Sequence, residues 1–104
     1  MSDRQRLPNR RASEFLDFDS MEMRFTTSVS RDSTGKILEL FCDNHKAGSA
    51  IGTLVRDAAI IFSFAVQHGA DADAIRRALG RDSNGHALGP IAEALDRIIT
   101  ERGT

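Results

Sequence analysis

The chain has a single cysteine, Cys42, in 104 residues. That excludes an internal disulfide and any Cys–Cys metal pair. Tryptophan and tyrosine are absent, so only Phe and His could offer a stacking surface to a nucleic-acid base. Long apolar runs are also missing. The longest, Ala58–Phe62, is far below the roughly 18 residues of a membrane span. Neither charge sign dominates: 14 Lys and Arg stand against 15 Asp and Glu, for a net charge of −1. No whole-molecule field therefore draws the chain to nucleic acid or an anionic membrane. Arg4, Arg6, Arg10 and Arg11 crowd the beginning, but no apolar stretch follows them as in a secretory signal. Cytoplasm is the expected compartment.

What is present is an ordinary globular composition, 40% apolar and 28% charged, enough for one domain with a modest core. Residues 1–12 read as a flexible basic arm and 13–104 as a single α+β domain. The arm is either solvated or set against phosphate or an acidic partner surface. Glu14–Phe18 is short and alternating, a first strand, followed by a turn over Asp19-Ser20-Met21-Glu22. Met23, Phe25, Thr27 and Val29 alternate with Arg24, Thr26, Ser28 and Ser30, the period of two of a half-buried strand. Asp32-Ser33-Thr34-Gly35 is a turn, and Ile37–Cys42 returns as a third strand. Connections this short give an antiparallel meander, and three strands need a helix over their apolar face.

That helix is expected from Ile51 to His68, with Ser49 as N-cap and Gly69 as its stop. Ile51, Leu54, Val55, Ala58, Ile61, Phe62 and Ala65 recur at helical spacing. From Ala58 to Val66 the segment is apolar nearly all round, which calls for burial on every side. Either the later helices wrap it or the chain self-associates, with Ile60, Ile61, Phe62 and Phe64 as interface residues. A short second helix capped by Asp71 or Asp73 turns Ile75, Ala78 and Leu79 inward. A last helix begins at Pro90, with Ile91, Leu95, Ile98 and Ile99 inward and Glu93, Asp96, Arg97 and Glu101 toward water. Between them, Arg81-Asp82-Ser83-Asn84-Gly85 echoes Arg31-Asp32-Ser33-Thr34-Gly35, an echo of turn chemistry. The fold expected is α+β: a three-stranded antiparallel meander followed by a long apolar helix and two shorter ones.

Several short blocks occur in order: Arg4-Gln5-Arg6-Leu7-Pro8-Asn9-Arg10-Arg11, Thr27 to Gly35, Glu39-Leu40-Phe41, His45-Lys46-Ala47-Gly48-Ser49-Ala50, and Gln67-His68-Gly69. In these the chain resembles, over roughly residues 4–79, the domain near the C-terminus of adenosylcobalamin-dependent (class II) ribonucleotide reductases. Small stand-alone proteins of the TSCPD type carry the same unit. The Thr-Ser-Cys-Pro-Asp signature is absent here, and His68 stands where the pattern has Tyr. The resemblance implies a link to reductase biology, with a ribonucleotide reductase or a second copy of this chain as the expected protein partner. Reduction of a ribonucleotide needs a radical-bearing cysteine and a separate reducing pair. One cysteine cannot supply them, so no reductase activity is expected of this chain alone. Cys42 reads as a small buried hydrophobe.

No other catalytic constellation stands out, and no cofactor or metal is expected. His45, His68 and His86 have no i, i+4 partner of metal-site type. Asp43, His45 and Ser49 share one loop but do not by that fact form a triad. The strongest local chemistry is anion binding by His45, Lys46, Gly48 and Ser49 at a helix start, where free N–H groups and the helix dipole favour a phosphate. Two functions follow. One is a non-catalytic accessory module for protein interaction. The other is a nucleotide or nucleic-acid binder that uses Arg4, Arg6, Arg10 and Arg11 with the 45–49 loop.

Overall fold

The computed structural model describes residues 13–46 and 48–100. Three antiparallel strands, β1 (Ser13–Ser20), β2 (Met23–Arg31) and β3 (Ile37–Asn44), lie in the order β1-β2-β3. They are followed by α1 (Ala50–Gln67), α2 (Ala72–Ala78) and α3 (Pro90–Leu95), and α3 passes into a wide π turn over Asp96–Thr100. This is the expected α+β meander with one long helix and two shorter ones.

The alternation in β2 decides which face is buried. Phe25, Thr27 and Val29 are buried, and they share a face with Phe18 of β1 and with Leu40 and Cys42 of β3. Phe18 and Phe25 are directly paired across the strands and stack at 5.8 Å between ring centroids. The Arg97 guanidinium lies over the Phe18 ring, 5.8 Å from its centroid. Thr27 is the polar member of this face, and its hydroxyl donates to the Phe41 carbonyl at 2.6 Å. The core is completed by Val55, Ala59, Phe62 and Val66 of α1 and by Leu95 and Ile98. Burying each large apolar side chain contributes about 1.5–3 kcal/mol.

The turn between β1 and β2 is tighter than expected. β1 runs on to Ser20, and only Met21 and Glu22 connect it to β2. Both have positive φ, 54° and 63°, the geometry of a type I′ hairpin, which normally selects Asn-Gly. Nothing in the residue types signals it.

The echo of turn chemistry is structural. Asp32 Oδ1 accepts from the amides of Thr34 (2.8 Å) and Lys36 (3.0 Å). Asp82 Oδ1 accepts from Asn84 (2.8 Å) and His86 (2.9 Å). Arg31 and Arg81 each close their loop by donating to the carbonyl of Gly35 or Gly85, and both glycines have positive φ. The shared Asp-x-x-Gly spacing puts one carboxylate within reach of two amides. Hydrogen bonds hold both carboxyls below the usual range, chiefly from the Thr34 hydroxyl at Asp32 and from the His86 amide at Asp82.

Asp71 caps α2, accepting from the Ala74 amide at 3.0 Å. Ile75 and Leu79 pack against the core, but Ala78 is exposed. Seven residues make fewer than two full turns, so one edge of the expected inward stripe points outward. Asp96, expected in water, is three-quarters shielded. It takes two hydrogen bonds from Arg81 at 2.8 and 2.9 Å and one from Arg76 at 3.3 Å. These bonds lock the loop after α2 to the end of α3. Glu101 lies outside the described residues.

Candidate functional site

The sequence-derived site at the start of α1 is furnished with the chain's own acceptors. Ser49 is the N-cap, accepting from the Gly52 amide at 2.9 Å. Buried Asn44 donates to Ser49 Oγ at 2.9 Å and accepts from the Lys46 amide at 3.3 Å. Asp43 is bound by Arg56 at 3.1 Å. A side chain on Gly52 would lie 2.9 Å from Asn44 Oδ1 and 3.0 Å from both Asp43 Oδ1 and Ser49 Oγ. Gly52 is thus required for the end of β3 to approach the first turn of α1. Sequence reading missed it, because the crowding comes from residues that only the fold brings close.

His45 and Lys46 are exposed, as is Gly48, which turns the chain at a φ of +73°. The four predicted anion-site residues are therefore adjacent, but the carboxylate of Asp43 sits beside the same helix turn. That carboxylate is paired with the Arg56 guanidinium at 3.1 Å. The triad reading does not assemble. His45 Nε2 lies 2.6 Å from the Thr26 hydroxyl, Asp43 is engaged by Arg56, and Ser49 by Asn44. His68 Nδ1 donates to the Phe64 carbonyl at 2.9 Å. Among the described residues no group of His, Cys, Asp and Glu could hold a metal ion. Arg4, Arg6, Arg10 and Arg11 lie outside the described residues.

Cys42 is fully buried, and burial pushes its thiol up to about 11. A thiol that remains protonated at neutral pH is a poor nucleophile, which fits its reading as a core hydrophobe.

The remaining feature is the outer side of α1. The helix packs on β3 through Gly52, Val55, Ala59, Phe62 and Val66. Phe62, grouped from sequence with the interface residues, is 4% exposed and belongs to the core. Ile60, Ile61 and Phe64 are exposed, as the interface reading requires, and Leu54 joins them. Leu54 and Ile61 share the helical spacing of Val55 and Phe62 but lie on the other side of the helix. An apolar-all-round helix has two stripes, and its periodicity does not say which one meets the sheet. Ser63 and Gln67 make the choice: they bond the margin of β3, with Ser63 Oγ taking the Leu40 amide at 2.9 Å and Gln67 donating to the Leu38 carbonyl at 2.8 Å. The later helices do not wrap the outer stripe.

Beside that stripe a groove of about 830 Å³ runs between β3 and α1. Phe41, Ile60 and Phe64 line it, with Asp32, Lys36 and Glu39 among its polar residues. α1 is also the one helix among the described residues that is long and apolar enough to cross a membrane, judged by length and composition alone. A third of it is buried inside the domain, and a core helix of a water-surrounded domain passes the same test.

Comparison of the chain with models of known families, with curated proteins and with solved structures returns no match.

Proposed function

We propose that this protein is a non-catalytic accessory module that works by docking, and that its docking surface is the outer stripe of α1. The observation that carries the reading is the exposure of Leu54, Ile60, Ile61 and Phe64 on one helix. Contiguous exposed apolar surface of this kind marks interaction sites. The single, buried cysteine supports a role without redox chemistry of its own. The resemblance to the C-terminal domain of class II reductases makes a ribonucleotide reductase the first outside partner to test.

The test is a tagged pull-down at low and high salt, read by mass spectrometry, with wild type and Ile61→Asp compared. The docking reading expects one defined protein at both salts, lost with Ile61→Asp. The phosphate-binding alternative, resting on Arg4, Arg6, Arg10 and Arg11, expects nucleic acid instead, shed steeply as salt rises. That outcome would replace the docking reading. The near-neutral chain weighs against it.

A further inference from the structure

Six residues of α1 follow one another at spacings of four, three, four, three and four: Ala50, Leu54, Asp57, Ile61, Phe64 and His68, the last being the C-cap. All six are exposed. This is the a/d spacing of a coiled-coil seam, and it lies on the side of the helix away from the sheet. A seam of that period is satisfied by another helix rather than by a flat surface. We infer that the occupant of this stripe is a second copy of the same chain, paired α1 against α1 in antiparallel orientation; the inference rests on the docking reading above.

The area agrees. Leu54 is 63% exposed, Ile60 54%, Ile61 68% and Phe64 61%. At about 200 Å² for a large apolar residue, these offer roughly 450–500 Å². A stable homodimer buries about 800 Å² per partner, some 65% of it apolar, or roughly 520 Å². One copy therefore presents about the apolar area that one half of such an interface needs.

The charges select the orientation. A parallel pair in register would set Asp57 directly against Asp57 of the second copy, a like-charge contact at the seam. An antiparallel pair centred on the helix offsets the two carboxylates by about 6 Å along the axis. It sets Leu54 against Phe64, Asp57 against Ile61, and Ala50 against His68. The same charges argue against a lipid surface. A helix lying on a membrane carries Lys and Arg along its polar face, whereas the only base in α1 is Arg56, bound to Asp43.

The experiment is sedimentation equilibrium of wild type and Ile61→Asp, followed by oxidation of a Leu54→Cys/Phe64→Cys double variant. Native Cys42 is buried and stays out of the reaction. Positions 54 and 64 of one helix are about 15 Å apart, too far for an internal bridge. Expected are a wild-type mass twice the 11.4 kDa of the chain, a folded monomer for Ile61→Asp by circular dichroism, and a disulfide joining position 54 of one copy to position 64 of the other. A 54-to-54 disulfide overturns the orientation. A dimer that survives Ile61→Asp overturns the interface. A wild-type monomer overturns the self-pairing. The docking reading then stands if the pull-down still captures one defined protein through Ile61, and falls with it if nothing is captured. A monomer that binds anionic vesicles through Ile61 overturns both in favour of a lipid surface.

Discussion

Ser63 of α1 is hydrogen-bonded to Leu40 of β3: its oxygen accepts from the Leu40 amide at 2.9 Å and lies 3.2 Å from the Leu40 carbonyl. One helix side chain thus stands where the next strand of the sheet would be. Gln67 does the same one step along, at the Leu38 carbonyl. An edge strand with unpaired polar groups invites pairing with other chains, and here a helix covers it. Ser63→Ala leaves the Leu40 amide without its acceptor and is expected to destabilise by about 1–3 kcal/mol. Urea unfolding measures the loss, and faster hydrogen exchange at the Leu40 amide locates it.

Gly52→Ala sets two effects against each other. Alanine is favoured in a helix interior by about 1 kcal/mol. The added carbon, however, meets Asn44, Asp43 and Ser49 at 2.9–3.0 Å, and yielding disturbs both the helix cap and the Asn44–Ser49 bond. The clash is expected to win by about 1–2 kcal/mol. In an Asn44→Ala background the closest obstacle is gone, so the penalty should shrink. A double-mutant cycle reads that coupling directly.

The turn at Met21 and Glu22 can be improved. Both residues hold a left-handed conformation that costs a side-chain-bearing residue about 1–2 kcal/mol. Glu22→Gly removes that strain while adding unfolded-state entropy, for a net gain of about 0.5–1 kcal/mol. At this chain length the melting temperature should rise by a few degrees, to be read by calorimetry.

Acid should loosen the C-terminal half through Asp96. Hydrogen bonds from Arg81, and then from Arg76, hold its carboxyl below the ordinary value. A lowered carboxyl stabilises the fold fully above its unfolded value of about 3.9, and the contribution fades as pH falls through the folded value. Asp96→Asn should therefore cost about 1.5–3 kcal/mol at neutral pH and progressively less below pH 4. Denaturant titrations of both proteins across that range compare the slopes.

Much of this architecture is legible in residue order. Met23, Phe25, Thr27 and Val29 alternate cleanly because one face of β2 is buried and the other is not. Ser49, Asp71 and Pro90 begin their helices through local chemistry that needs no tertiary information. What escaped depends on distant residues. Met21 and Glu22 carry no turn signal, since pairing of the flanking strands imposes their conformation. Asp96 has the look of a surface acid until the 81–85 loop brings Arg81 to it. Both sides of α1 carry large apolar residues, and the bonds of Ser63 and Gln67 to β3 mark the one that meets the sheet. Of the four residues grouped from sequence as interface candidates, Ile60, Ile61 and Phe64 lie at the surface, whereas Phe62 is in the core.

The two hairpin turns also set an order of assembly. The 32–36 loop is organised by its own aspartate, which gathers two amides without help from the strands. The Met21–Glu22 turn is uphill until β1 and β2 are already paired. A nucleus forms first where local closure is favourable, so β2, β3 and α1 are expected to condense together, with β1 joining last. Conservative substitutions in the 32–36 loop should then slow folding, while those around Met21 and Glu22 should act almost wholly on unfolding. On this order the strand written first in the chain would be the last to find its place.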